Sequence, residues 1–213
     1  MKEIILDKFI SKGFKLSKVD MHDLSKFKSG MMEFNCETYK IEGVGNLMFL
    51  QMNSILDLMK MQTTVICPQY KDLSFMNADT FDVLSRHTGL VELYESSIED
   101  SDLSSLENIK EEYNYLKDYV SEPRWYDSMR LSCSIGKLGN KKIIEEMCLR
   151  YIDEYLDLLS IAKDCDYNLK QQANSIYVDQ LIEKGGVAVD SLNKMIGKDK
   201  CETLVKKYMF NTI

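Results

Sequence analysis

The last part of the chain, from Lys141 onward, has helical periodicity, and this feature constrains the fold most. A second helix is predicted over residues 167–184, ending at a Gly-Gly pair, and two short helices follow around 188–196 and 199–209. Such helices must bury their apolar faces against another layer. The first helix has one apolar face of about six turns, formed by Ile143, Ile144, Met147, Tyr151, Ile152, Tyr155, Leu158, Leu159 and Ala162.

The preceding part of the chain predicts the strands of a sheet. Residues 31–42 mix apolar and polar side chains as a strand does, and residues 61–67 are rich in β-forming residues. Residues 80–86 and 90–95 are predicted as antiparallel neighbours, because the His-Thr-Gly segment between them suits a hairpin turn. Residues 126–136 are one more candidate strand, with Arg130 in its middle.

Three further segments complete the expected architecture. Residues 2–12 predict a short amphipathic helix, and residues 46–60 predict a mostly buried helix. Residues 100–120 are acidic and helical or loop-like. We therefore expect a single domain over residues 1–213, an α/β three-layer α/β/α sandwich around a central, mainly antiparallel sheet of about five to seven strands.

Composition and charge exclude several classes of protein. With 213 residues, 45% hydrophobic and 29% charged, the chain is typical of a globular domain and not of a disordered one. The net charge of −7 argues against a nucleic-acid partner. The sequence has no run of about 18 apolar residues, so no membrane association is expected. The start of the chain does not have the pattern of a secretory signal.

The cysteines indicate the compartment. Six are present, none in a Cys-x-x-Cys pair, and with two histidines no zinc-binding spacing occurs. We therefore expect reduced, buried thiols, a cytoplasmic location and no metal.

Three segments resemble the ferredoxin-dependent bilin reductases. The segment VICPQYKDLSFMNAD, residues 65–79, is similar to the family's sequence of strand, proline, aromatic residue, Asp-Leu-Pro, two apolar residues, a small pair and Asp, with Ser74 in place of the usual proline. SEPRWYDSMRLSCSI, residues 121–135, resembles the family's Pro-Glu-Trp segment, which precedes a strand and a long helix. Residues 176–210 resemble the family's C-terminal helices.

This resemblance implies a function. Bilin reductases bind a linear tetrapyrrole between the sheet and the C-terminal helices, and reduce it with single electrons from ferredoxin or flavodoxin. The enzyme needs no intrinsic cofactor, because the substrate itself holds the radical, while the protein supplies protons. The resemblance implies that Asp79 is the proton donor, since it occupies the family's central aspartate position. On the residues alone, the favoured interpretation is that Asp79 caps the loop before the strand over residues 80–86. In the interpretation by resemblance, Asp72 has a structural role in the turn.

Other positions match the family less well. Thr63 stands where the phycocyanobilin-forming enzyme has a histidine, Gln51 where the family has a glutamate, and Gly186 where some members have a second catalytic aspartate. Gln51 and Thr63 are predicted to contact substrate, as are Ser128 and Arg130. Arg130 would pair with a propionate, or alternatively form a partly exposed salt bridge on the strand. The alternatives are a non-catalytic protein that binds a tetrapyrrole or another small molecule, and an interaction domain without a ligand.

Overall fold

The computed structural model describes residues 1–54, 58–84 and 86–213, and an antiparallel sheet lies at its centre. Its order is β1-β3-β4-β5-β6-β7-β9-β8, and β2 pairs with β3 on the same edge as β1. The nine strands among the described residues exceed the five to seven predicted. They are β1 (Leu16–Val19), β2 (Lys26–Ser29), β3 (Met32–Ile41), β4 (Gly45–Ser54), β5 (Met59–Pro68), β6 (Phe75–Val83), β7 (Arg86–Tyr94), β8 (Lys117–Asp118) and β9 (Ile135–Gly139).

The helices lie at the start of the chain, before β8 and after β9. The predictions of an N-terminal helix and of a helical region from Lys141 onward are confirmed. The helices are α1 (Lys2–Ser11), α2 (Ser104–Glu112), α3 (Lys141–Ile161), α4 (Tyr167–Lys184), α5 (Val187–Ile196) and α6 (Lys198–Thr203). Two 3₁₀ turns, His22–Leu24 and Trp125–Met129, and a π-helical segment, Leu204–Met209, complete the described elements.

Two hydrophobic cores lie on opposite faces of the sheet. Helices α1, α2 and α3 cover one face, where Phe9, Ile109 and Tyr151 are buried against the strands. Helices α4, α5 and α6 cover the other face, where Val178 and Leu192 are buried. This arrangement confirms the predicted three-layer α/β/α sandwich with a mainly antiparallel sheet. We call the two surfaces of the sheet the α3 face and the α4 face.

The prediction of a helix over residues 46–60 is wrong, because this region contains β4 and the start of β5. Leu47 is buried on the α3 face and its neighbour Met48 on the α4 face. A strand that is buried on both faces has a continuous apolar run, which periodicity cannot distinguish from a buried helix. Residues 55–57 of the predicted helix lie outside the described residues.

The hairpin of β6 and β7 is antiparallel as predicted, but the predicted His-Thr-Gly turn is wrong. Val83 already pairs with Arg86, before the His-Thr-Gly segment begins, and residue 85 of the predicted strand lies outside the described residues. The predicted turn segment belongs to β7. Strand β6 also begins earlier than predicted, at Phe75. The prediction missed its first half because Asn, Ala and Asp, which are poor strand formers, occur there.

The prediction of a strand over residues 126–136 is wrong for all but its last two residues, where β9 begins, and residues 126–129 belong to a 3₁₀ turn. The position of Arg130 in mid-strand is therefore wrong: it follows the turn and forms an isolated bridge with Tyr94. Asp127 causes the difference locally, because its carboxylate accepts a hydrogen bond from the Arg124 backbone N–H at 2.8 Å. Short polar side chains compete with strand pairing in this way.

Polar side chains fix the C-terminal segment on the sheet. Three of them, Thr38, Asn46 and Gln69, are buried and donate hydrogen bonds to the backbone carbonyls of residues 208–211 at 2.8 to 3.1 Å. Buried polar groups of this kind are stable only when they are paired, so they specify where the segment lies.

On the α3 face, Gly89 allows close packing. A Cβ atom at Gly89 would lie 2.8 Å from Cγ2 of Ile144 and 3.0 Å from Sγ of Cys148. Helix α3 can therefore lie directly against β7 only because this position has no side chain.

All six cysteines are free, and each except Cys165 is buried. No helix of the described part of the chain is long and apolar enough to cross a membrane.

Candidate functional site

Asp79 lies within β6 and not in a loop, and its side chain is on the α4 face. In the sheet register it is opposite Thr63 of β5 and Leu90 of β7. Side chains two residues apart on a strand share a face, and Phe75 of the same strand is buried among the C-terminal helices. Asp79 is therefore on the side of the sheet that α4 to α6 cover.

The Asp79 carboxylate has two hydrogen-bond donors. The Thr63 hydroxyl donates to Oδ1 at 2.5 Å, and the Asn77 amide donates to Oδ2 at 2.7 Å. Burial raises the pKa of Asp79 to about 6, and the negative charge of Glu92 adds to this, while the two hydrogen bonds act in the opposite direction. A carboxylic acid with this pKa can hold a proton near neutral pH and give it to a bound substrate.

A second carboxylate, Glu92 of β7, lies on the same face, opposite Asn77. Arg130 donates to Glu92 Oε1 at 2.8 Å, and the Tyr94 hydroxyl donates to Oε2 at 2.9 Å. Arg130 also forms an ion pair with Asp127 at 3.1 Å. Sequence reasoning missed Glu92, although a glutamate between the apolar residues of a strand could have indicated an inward-facing acid.

Aromatic side chains join the sheet, the 3₁₀ turn and α4 next to Glu92. The rings of Tyr94 and Tyr177 have centroids 4.5 Å apart, and Trp125 donates from Nε1 to the Gly185 carbonyl at 2.8 Å. This bond ties the turn to the end of α4. The members of the aromatic cluster are Phe75, Tyr94, Trp125, Tyr126, Tyr177 and Phe210.

Beside Asp79 the α4 face is incompletely covered. Leu90 is opposite Asp79 on β7, and Met61 and Phe81 are the next cross-strand pair on this face. These three side chains are only partly buried. They form an apolar strip that continues from Asp79 toward the β6–β7 turn. An apolar strip with one protonatable group suits a flat, largely apolar ligand.

Two concavities among the described residues lie elsewhere. One, of about 510 Å³, is lined by residues of β1, of β3 and of the segment that follows β1, among them Lys18 and Glu37. The other, of about 540 Å³, lies between α1 and α3. The described residues contain no group of three His, Cys, Asp or Glu side chains placed to hold a metal ion.

The structure brings some predicted site residues together and separates others. Thr63 contacts Asp79 directly, and Arg130 reaches the same face through Glu92. Ser128 is exposed, and its hydroxyl donates to the Trp125 carbonyl at 3.3 Å.

Gln51 pairs with Gln62, the residue before Thr63 on β5. Successive side chains of a strand point to opposite faces, so Gln51 lies on the α3 face. Its amide donates to the Gln62 side chain at 3.3 Å. The structure does not bring Gln51 to the carboxylate of Asp79.

Asp72 and Gly186 lie outside this cluster. The Asp72 carboxylate accepts the backbone N–H groups of Ile98 and Glu99 at 2.7 and 2.9 Å, a structural role like the one predicted for it. Gly186 precedes α5 as its N-cap residue.

Comparison with known proteins gives a structural match without a sequence match. No family model matches the chain, and no curated protein sequence matches it. The structure is similar to the crystal structure of phytochromobilin synthase from tomato in complex with biliverdin, with a TM-score of 0.72 and 16% sequence identity. The match covers 99% of this chain and 83% of the tomato chain. The protein therefore has the fold of a phytochromobilin synthase, the fold that the resemblance to bilin reductases implies.

Proposed function

We propose that this protein binds biliverdin or a related linear tetrapyrrole on the α4 face and reduces it with electrons from ferredoxin or flavodoxin. Asp79 is the catalytic proton donor in this proposal. The tomato protein of the same fold was crystallised with biliverdin, which supports this class of ligand. The proposal includes a cytoplasmic location and no intrinsic cofactor.

The observation that carries the proposal is the state of Asp79. Its carboxyl group lies on the α4 face, beside the partly open apolar strip, and its pKa is raised to about 6. An isolated structural aspartate would gain nothing from this position, because burial without a cationic partner disfavours its charged form. A group that must hold a proton until a substrate takes it gains from the same position.

The chemistry requires two electrons and two protons for each double bond reduced. The donor protein supplies the electrons one at a time, and the substrate holds the unpaired electron between the two transfers. Asp79 gives one proton to the substrate after the first electron, takes a proton from solvent, and gives this second proton to the substrate after the second electron. Thr63 and Asn77 hold the Asp79 carboxylate in place during this exchange.

Arg130 and Ser128 are two of the predicted substrate contacts. Arg130 is partly exposed at the edge of the aromatic cluster, where its guanidinium can reach a ligand carboxylate while it holds Glu92. Ser128 is exposed beside it. We propose no contact between Gln51 and the same ligand, since this residue lies on the other face.

A second candidate function is ligand binding without reduction. The position where the resemblance places a glutamate is Gln51, and this residue lies on the α3 face. Where the phycocyanobilin-forming enzyme has a histidine, this chain has Thr63, which cannot act as an acid near neutral pH. These two features favour a protein that keeps the ligand site with fewer proton donors.

An absorbance titration with biliverdin, followed by anaerobic addition of a reduced ferredoxin system, tests the proposal. A reductase gives a shifted biliverdin spectrum that then bleaches or moves to shorter wavelength. A shifted spectrum that stays constant under reducing equivalents supports the binding protein. If no concentration of biliverdin shifts the spectrum, the proposed ligand class is wrong.

A further inference from the structure

Two carboxylates of the α4 face are diagonal neighbours across β6 and β7. Glu92 is opposite Asn77 in the register, and Asp79 follows Asn77 by two residues on the same face. Side chains at such diagonal positions are about 7–8 Å apart. Asn77 is thus next to both acids on this face: it is the cross-strand partner of Glu92, and its amide donates to Asp79 at 2.7 Å.

Glu92 is well fixed for a charged side chain. Its side chain is 13% exposed, and its two oxygens accept hydrogen bonds from Arg130 and from the Tyr94 hydroxyl. The Arg130 side chain is 34% exposed, so the counter-ion is closer to solvent than the acid that it pairs with. A nearly buried charge acts on its neighbours more strongly than a charge in water.

We propose that Glu92 is a positioning residue whose charge keeps a proton on Asp79, and that Arg130 sets how strongly this charge acts. The inference rests on the proposed role of Asp79 as proton donor, but the geometry that supports it requires no ligand. A second negative charge disfavours ionisation of Asp79, and a positive charge beside Glu92 weakens that effect.

The other groups that face the pair do not change the sign of this coupling. Thr63 and Asn77 donate to Asp79 and lower its pKa, so they oppose Glu92. Burial raises the pKa of the neighbouring tyrosines well above neutral pH, so these groups remain uncharged. The groups around the two acids are Thr63 from β5, Asn77 from β6, Tyr94 from β7, Tyr126, Asp127 and Arg130 from the 3₁₀ turn region, and Tyr177 from α4.

A carboxyl titration of the ligand-free protein tests the proposal. The pKa of Asp79 is measured by NMR with ¹³C-labelled aspartate, using Asp79→Asn to assign the signal. Glu92→Gln removes the negative charge and is expected to lower the pKa of Asp79 by about one unit. Arg130→Gln leaves the charge of Glu92 uncompensated and is expected to raise the same pKa. Glu95→Gln, at an exposed glutamate that directly follows β7, is the control and is expected to leave the Asp79 pKa unchanged.

The opposite signs distinguish an electrostatic role from a structural one. A merely structural role of the ion pair would move the Asp79 pKa in the same direction in both variants, which would overturn the proposal. An unchanged pKa in Glu92→Gln would also overturn it. If Glu92→Gln does not fold, the sign of the shift in Arg130→Gln decides alone.

The same variants separate this inference from the proposed function. In an active reductase, the pH at which turnover is half-maximal moves with the Asp79 pKa, downward in Glu92→Gln and upward in Arg130→Gln. If the wild-type protein shows no turnover, the reductase function fails, while the NMR shifts still decide whether Glu92 controls Asp79.

Discussion

Thr63 and Asp79 face each other across β5 and β6, and the threonine hydroxyl lies 2.5 Å from the aspartate carboxylate. The hydrogen bond favours the charged form of Asp79, while burial favours the neutral form. Burial dominates, and the pKa is raised to about 6. The pair thus keeps an acid ready near neutral pH at a fixed position on the sheet.

Asp79→Asn is expected to stabilise the protein at neutral pH. The pKa of Asp79 is raised from 3.8 to about 6 on folding, so folding costs about 2–3 kcal/mol once both states have lost the proton. Between pH 4 and 6 the folded state binds more protons than the unfolded state, so wild-type stability falls as pH rises through this window. Above about pH 7 both states have lost the proton, and the free energy of unfolding no longer changes through this group.

Urea unfolding at pH 4 and at pH 8 measures this effect. We expect the variant to exceed the wild type in free energy of unfolding at pH 8 by about 2 kcal/mol more than it does at pH 4. A wild-type protein that is more stable than Asp79→Asn at pH 8 would show that burial does not destabilise the charged Asp79 carboxylate.

Thr63→Val is expected to raise the pKa of Asp79 further. The substitution keeps the shape of the side chain but removes the donor at 2.5 Å, and the charged carboxylate loses that stabilisation. An increase of about one unit in the carboxyl titration is the expected result.

Thr64→Val is the matched control on the same strand. The Thr64 hydroxyl faces the other side of the sheet and has no hydrogen-bond partner among the described residues, so its removal should stabilise the protein by about 1 kcal/mol. If the Asp79 pKa moves equally in both variants, the claim that the Thr63 hydroxyl specifically stabilises the charged carboxylate is wrong.

Lys170→Met is expected to destabilise the protein by about 3 kcal/mol. The Lys170 side chain is fully buried in α4, and its ammonium group donates to the backbone carbonyls of Leu73 and Ser96 at 2.8 and 2.5 Å. The variant leaves both carbonyls without this donor. Lys163→Met is the control, because the Lys163 ammonium is exposed and pairs with Glu99. Chemical denaturation should show that this variant loses less than about 1 kcal/mol of unfolding free energy. Equal losses in the two variants would contradict this role of Lys170.

Asn46→Ala is expected to loosen the C-terminal segment. Its amide donates to the carbonyls of Tyr208 and Met209 at 2.8 and 3.0 Å. The substitution leaves the Met209 carbonyl without this donor and the Tyr208 carbonyl with Thr38 alone, at a cost of about 2 kcal/mol. Hydrogen exchange of the amides in residues 204–210 should become about 10- to 30-fold faster. Asn53→Ala, at an exposed position of the same strand, should leave that exchange unchanged.

The helices were predictable because their periodicity is long. The apolar face that begins at Ile143 continues over all of α3, and the glycine pair after Lys184 ends α4 where the sequence indicates. The β-hairpins were harder to locate. β4 is buried on both faces, so its side chains do not alternate between apolar and polar, and Thr88 and Gly89 resemble a turn although they lie inside β7.

The site was predictable in part. The resemblance drew attention to Asp79, and the strand register then placed Thr63 beside it. Glu92 could not be found by motif, since it reaches the site through pairing of β6 with β7. The separation of Gln51 from Asp79 likewise depends on register, because a shift of one residue moves a side chain to the other face.

Anaerobic single-turnover reduction of bound biliverdin by Asp79→Asn tests the central claim most directly. Asp82→Asn is the control, because Asp82 lies on the same strand but on the α3 face, paired with Lys141 and His87. The account predicts that Asp79→Asn binds biliverdin and reduces it about 10²–10⁴-fold more slowly, while Asp82→Asn keeps the wild-type rate. A wild-type rate in Asp79→Asn would contradict the assignment of Asp79 as the proton donor.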